Sequence, residues 1–320
     1  MSITTIARDG RACTVAADDG VPLAVRITGA ENAPTTVVFV HGHCLRGESW
    51  SYLRDQLNRH WGSDTRMVFY DHRGHGASGA SDPSTYTIDQ LAHDLDAVLR
   101  AVAARGPVIL VGHSMGAMVV LAYSRLYPEA IGTRVVGVGL IAGAANGVTQ
   151  VGLGRLLNGH TVRSLQLAVH RAPRFLHMSR RLSRRIFEPI AREVAFGSRK
   201  VPPRVVALAA TMLNETSLST MAGFLASLRA FDETGSLHRL GSIPALVLAG
   251  SADIMIPFAH SVVLAAHLAN AELVRLEGAG HNVILERAEE VALSIAGLAE
   301  RAAAAARHAG NDCAAYARTA

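Results

Sequence analysis

Near-continuous apolar runs of strand length recur along the chain, at Thr36–Val40, Val108–Val111, Val135–Ile141 and Ala245–Ala249. Runs of this kind fit strands that are buried on both faces of a sheet. Arg66–Tyr70 and Ala271–Leu276 are two further strand candidates. Between them the period changes. Ile88, Leu91, Leu95, Val98, Leu99 and Val102 recur at steps of three and four, which gives one apolar face of a helix. Trp50–Leu57, Phe258–Leu268 and the residues from Glu289 onward carry the same spacing, and the Ala-rich Arg301–Ala309 extends the closing helix to a stop near Gly310-Asn311. Near the start, Arg11–Ala17 and Val21–Ile27 alternate weakly around Asp18-Asp19-Gly20, a hairpin signal.

Strands alternating with helices predict an α/β fold with a mainly parallel central sheet, helices on both faces and right-handed crossovers. The rhythm breaks from Gly152 to Leu240, which reads as helices and loops without a strong strand. The expected organisation is therefore a core made of residues 1–146 and 241–320, with residues 147–240 inserted above the sheet as a helical cap.

Composition narrows this only slightly. A chain of 320 residues with 49% apolar content can bury a large core, which excludes a disordered protein. Cys13, Cys44 and Cys313 are odd in number and form no Cys-x-x-Cys pair, which suits a reducing compartment. Met1–Arg11 contains no apolar leader-like core, and no apolar run approaches the roughly 18 residues of a membrane span. A cytoplasmic protein, either free or peripheral to a membrane, is expected. The formal charge of +5 is unevenly spread: Val151–Arg204 holds twelve Arg and Lys against Glu188 and Glu193, so the remainder of the chain is acidic. Within that segment Phe175, Met178, Leu182, Ile186 and Ile190 form an apolar stripe flanked by arginines. It reads as a cap helix with a solvated basic face, or as a surface for anionic lipid headgroups or an acidic substrate.

The chemistry gathers at strand ends. Gly112-His113-Ser114-Met115-Gly116 follows an apolar run and precedes a helical pattern, so Ser114 sits at the apex of a strand-turn-helix elbow with its Oγ raised above the sheet. The Met115 amide then lies at a helix N-terminus, where it can meet negative charge. A neutral serine needs a base, and the base needs an acid to hold its tautomer. Asp253, after the Ala245–Ala249 run, and His281, after the last strand, lie at the same sheet edge in the chain order Ser, Asp, His.

With these motifs in order the chain resembles an α/β-hydrolase with a helical cap over nearly its whole length. The motifs are His41-Gly42, Asp71-x-Arg73-Gly74-x-Gly76-x-Ser78, Gly112-x-Ser114-x-Gly116, Gly250-x-x-Asp253 and Gly280-His281. The resemblance implies Ser114 as nucleophile, His281 as general base and Asp253 as its orienter, with the backbone N–H groups of His43 and Met115 as the oxyanion hole. Some relatives carry the acid one strand earlier, where this chain offers Asn146 and no carboxylate. A serine at the elbow sets it apart from relatives resembling haloalkane dehalogenases and epoxide hydrolases, whose nucleophile is aspartate. His43-Cys44 departs from the bulky apolar or glycine residues that often follow His-Gly, which bears on the shape of the acyl pocket.

The expected activity is hydrolysis of carboxylic esters with an apolar acyl part, using no cofactor and no metal. The same triad also serves thioesterases, perhydrolases and C–C bond hydrolases, and a ligand-binding receptor on this fold is the non-enzyme alternative. His41, His43, His72, His75 and His113 lack the spacing of a zinc site and read as loop-locking and pocket-lining groups, as do Asp71, Arg73 and Ser78. Cys44 reads as a packing residue. The expected partner is a small ester or acyl substrate. Nucleic acid is not expected, since basic and aromatic residues do not interleave and aromatics make up only 5%.

Overall fold

Each continuous apolar run becomes an inner strand because helices cover it from both sides. The computed structural model describes residues 10–62, 64–148, 150, 192–198 and 200–319. Among them lie eight strands: β1 (Arg11–Ala16), β2 (Pro22–Thr28), β3 (Thr35–Val40), β4 (Thr65–Tyr70), β5 (Val108–His113), β6 (Val135–Ile141), β7 (Ala245–Gly250) and β8 (Ala271–Leu276). They form one sheet in the order β1-β2-β4-β3-β5-β6-β7-β8. The β1–β2 hairpin is antiparallel, β2 runs antiparallel to β4, and the pairs from β4 to β8 are parallel.

The helices are α1 (Ser51–Trp61), α2 (Ile88–Val102), α3 (Met115–Leu126), α4 (Pro203–Glu215), α5 (Leu218–Ala230), α6 (Ala259–His267), α7 (Val283–Glu286) and α8 (Ala288–Thr319). Successive strand residues point to opposite faces. Val37, Phe39, Ile109 and Val111 therefore pack with Leu53 and Leu57 of α1 and Ile295 and Leu298 of α8, while Val38, Val40, Val108 and Leu110 pack with Leu91 and Leu95 of α2 and Met118 and Leu121 of α3. Burial on both sides is why these strands show no polar alternation.

β3 lies between β4 on one side and β5 on the other, so the connections on either side of it leave in opposite directions. Such a reversal opens a crevice beyond the carboxyl ends of the two strands. His41-Gly42 and Ser114 follow β3 and β5 at that crevice.

Between β6 and β7 the described residues hold α4, α5 and a 3-10 segment at Thr234–Leu240, and no strand. The basic amphipathic stretch from Phe175 to Ile190 lies outside the described residues, as does most of the N-terminal leader reading. No helix of the described residues is long and apolar enough to cross a membrane. One sequence expectation is corrected: α8 continues to Thr319 instead of stopping near Gly310-Asn311. A mid-helix glycine costs only about 1 kcal/mol relative to alanine. Alanine-rich stretches on both sides propagate the helix across it once it is nucleated.

Candidate active site

The elbow is built from glycines that let backbone meet backbone. A side chain on Gly116 would bring its Cβ within 2.0 Å of the Val40 carbonyl oxygen, and one on Gly112 within 2.3 Å of the Gly116 oxygen. With both absent, α3 seats directly on β3 and β5, and the chain turns through Ser114 at φ 54°, ψ −118°. A non-glycine residue in that region stores on the order of 1–3 kcal/mol of strain. The turn is held by the Ser114 amide donating to Ile141 O (2.8 Å) and the Ala117 amide donating to Ser114 O (2.9 Å).

The structure brings the three sequence-predicted side chains together. Ser114 Oγ lies 2.8 Å from His281 Nε2, and His281 Nδ1 lies 2.7 Å from Asp253 Oδ2. The other carboxylate oxygen, Asp253 Oδ1, accepts the amides of Met255 (2.8 Å) and Ile256 (2.9 Å), which fixes the plane of the acid. A carboxylate held this way accepts the Nδ1–H hydrogen bond, which keeps the proton on Nδ1 and leaves the Nε2 lone pair directed at the serine hydroxyl. Asp253 and His281 are only 4% and 5% exposed, so little solvent competes for these bonds. Asn146, in the loop after β6, instead donates to Thr234 Oγ1 at 2.6 Å.

The amide of Met115 opens α3, where no intrahelical acceptor exists. His43 sits in a turn closed by the Leu45 amide donating to Gly42 O (3.2 Å), and Cys44 takes φ 60° there. Met115 follows Ser114 in the chain, and His43 lines the same cavity as Ser114. A Cβ on Gly42 would press to 2.9 Å from His113 Nδ1 and 3.1 Å from Ser114 Cβ, so glycine is what lets this turn approach the nucleophile.

The histidines lock these loops, each with one donor and one acceptor nitrogen. The His72 amide donates to His41 Nε2 (3.0 Å), leaving His41 Nδ1–H for the Gly42 carbonyl (2.8 Å), and His72 Nε2–H returns to the His41 carbonyl (2.9 Å). The Cys44 amide donates to His75 Nε2 (3.2 Å), and His75 Nδ1–H binds the Arg73 carbonyl (3.1 Å). His113 Nε2–H holds the backbone carbonyl of His281 at 2.9 Å. Among the described residues no group of three or more His, Cys, Asp or Glu side chains is arranged to share a metal ion.

Desolvation of the imidazolium pushes His41 down to about 4, His75 and His113 down to about 3, and His72 well below the ordinary value. The unfolded rings take a proton near pH 6.5, whereas the folded rings refuse it until far lower. Stability from these four rings is therefore complete above pH 6.5 and is lost as the pH falls toward 4, each ring contributing a slope of up to about 1.4 kcal/mol per pH unit. Denaturant titrations between pH 7 and pH 4.5 should show a steep fall in unfolding free energy. A flat profile over that range would contradict the neutral, buried network.

The loop after β4 is held as expected and by more than the sequence indicated. Asp71 accepts the Gly47 amide (2.7 Å) and the Ala77 amide (2.8 Å), while Ser78 Oγ donates to Asp71 O (2.6 Å). Arg73 forks onto Asp94 of α2 at 2.7 and 2.6 Å, and onto Asp19 of the β1–β2 turn at 2.7 and 3.1 Å. Asp94 was missed by the motif reading, although a charged residue on the apolar stripe of α2 was a visible signal. His113 as an anchor of His281, and Glu286, left no such signal.

A cavity of about 260 Å³ opens at Ser114 and His281. Its walls are largely apolar, with Leu45, Val194, Phe196, Val206, Leu213 and Met255 among them, and Cys44 lies at the same wall.

Residues 37–293 match the alpha/beta hydrolase family as a whole. The chain belongs to the alpha/beta hydrolase family. Among curated proteins it is similar to the proline iminopeptidase PfmaB of Pestalotiopsis fici, with 26% identity over 87% of this chain and 95% of that protein. The alpha/beta hydrolase fold recurs in a thermophilic esterase from Thermogutta terrifontis, with a TM-score of 0.72 and 23% identity across 92% of this chain and 99% of that one. It recurs also in the enol-lactonase from Burkholderia xenovorans LB400, with a TM-score of 0.73 and 22% identity across 90% of this chain and all of that one.

Proposed function

We propose that this alpha/beta hydrolase is a serine esterase that cleaves carboxylic esters with an apolar acyl group. The observation that carries the reading is the apolar cavity ending at a Ser114–His281–Asp253 relay with hydrogen bonds of 2.8 and 2.7 Å. In this reading Ser114 Oγ attacks the ester carbonyl as His281 Nε2 takes its proton. The oxyanion is met by the amides of Met115 and His43, and His281 then protonates the leaving alkoxide. Water, deprotonated by the same nitrogen, attacks the acyl-enzyme, and that proton passes to Ser114 Oγ as the acid leaves. Residues 147–240 serve as the cap, with α4 supplying one apolar wall and shielding the acyl-enzyme from bulk water.

An ester suits the cavity better than a peptide with a free amino terminus. Binding a cation in a buried site calls for a carboxylate partner, and no Asp or Glu is among the described residues lining this cavity. Its volume exceeds the roughly 150 Å³ at which an apolar cavity holds benzene, so a medium aliphatic chain or a substituted phenyl ring fits.

A fluorophosphonate probe should label Ser114, and p-nitrophenyl esters from acetyl to dodecanoyl should be hydrolysed with an optimum at intermediate length. Thioesters and peracid formation, run beside them, separate the other uses of the same triad. Absence of both labelling and turnover would overturn the proposal in favour of a ligand-binding role.

A further inference from the structure

Glu286 ends the short helix α7, one turn beyond His281, and its carboxylate gathers three backbone amides from two separate stretches of chain. Oε2 accepts the Gly280 amide at 2.9 Å and the Gly197 amide at 3.1 Å, while Oε1 accepts the Ser198 amide at 2.9 Å. On the other side of the histidine, the Asn282 amide donates to Ala195 O at 2.8 Å. Both chain neighbours of His281 are thus bonded, directly or through Glu286, to residues 195–198. That segment continues Val194, Ala195 and Phe196, which form part of the cavity wall.

The two stretches also cross without room for side chains. A Cβ on Gly280 would lie 2.3 Å from the Gly197 nitrogen, and one on Gly197 would lie 2.2 Å from the Gly278 oxygen. Contact that close transmits displacement, because neither strand of backbone can shift without pushing the other. Hydrogen bonds to a carboxylate are about twice as strong as neutral ones, so the clamp resists separation where a chance loop contact would not.

We infer that Glu286 is a positioning residue that couples the acyl-side wall of the cavity to the placement of His281. This rests on the esterase reading of the site. An acyl chain seated against Val194 and Phe196 presses the segment that holds both neighbours of the base, so chain occupancy acts on the chemical step as well as on binding.

Glu286→Gln tests this, because the amide keeps the shape but turns N–H groups toward backbone donors it must accept. With the p-nitrophenyl acetate substrate, kcat should fall about 10- to 100-fold while KM stays within about threefold, the pattern of a misplaced catalytic group. With the hexanoyl ester, whose longer chain the inference seats against Val194 and Phe196, the proportional loss in kcat should be at least about threefold larger, because the link through which the chain acts on His281 is cut. Equal proportional losses on both esters, or kcat unchanged on both, would overturn the inference. Should Glu286→Gln not fold by circular dichroism, Glu286→Asp, which keeps the charge but is too short to span both stretches, is read by the same split. Failure of the esterase reading is separate: it appears as no turnover of either ester by the unaltered protein.

Discussion

Ser114→Ala is expected to lower ester turnover on the order of 10⁴-fold or more, with the fold intact. Among the described residues of the cavity, this hydroxyl lies within hydrogen-bond distance of a held imidazole, at 2.8 Å from His281 Nε2. Without it, His281 has only water to activate, and the two-step acyl-enzyme route is closed. A factor of 10⁴ corresponds to about 5.5 kcal/mol of lost transition-state stabilisation. The fold should tolerate the change, because the turn at Ser114 is held by backbone bonds to Ile141 and Ala117 that alanine retains. Kinetics on a short-chain aryl ester, with circular dichroism and thermal unfolding as controls, measure both halves of the claim. Undiminished turnover by a folded variant would show that another residue performs the attack.

Arg73→Leu is expected to cost about 3–5 kcal/mol of stability, the loss seen when one partner of a buried ion pair is removed. Arg73 and Asp94 are both fully buried, and the same guanidinium also binds Asp19. Two carboxylates hold the guanidinium above its ordinary value, and Arg73 holds the Asp19 carboxyl below its own. Leucine leaves Asp94 as a buried charge without its cation, with the Gln90 amide at 3.3 Å as a remaining neutral donor. The β1–β2 turn, the loop after β4 and α2 lose their common tie. Chemical denaturation should read the loss, and the melting temperature should fall by roughly 5–7 °C. The double variant Arg73→Leu, Asp94→Leu should regain much of the stability, because the penalty lies in the orphaned charge more than in the missing bond. A single variant within about 1 kcal/mol of the unaltered protein would refute this account.

The two predictions differ in how far the sequence foreshadows them. Ser114 stands in a pentapeptide whose glycines have a stated mechanical purpose, and Asp253 and His281 follow strands that the apolar pattern makes plain. Arg73 is visible as part of a glycine-rich loop, yet its partner Asp94 lies 21 residues on and Asp19 lies 54 residues back. Nothing local to either carboxylate names the other. The terminal helix shows the opposite failure: a local stop signal at Gly310-Asn311 is overridden because helix propagation is cooperative over the whole alanine-rich stretch.

What the sequence determines by itself is whatever depends on local geometry: the period of its apolar residues, the turn its glycines permit, and the order of strand ends that puts a serine, an acid and a histidine on one edge. Tertiary structure alone decides what depends on distance between remote segments. The closure of the relay, the fork of Arg73 onto two carboxylates, the four neutral buried histidines around the loops after β3 and β4 and the three amides on Glu286 all belong to this second kind. The physical reason is that a hydrogen bond requires its partners within about 3 Å, whereas a linear pattern constrains only neighbours a few residues apart.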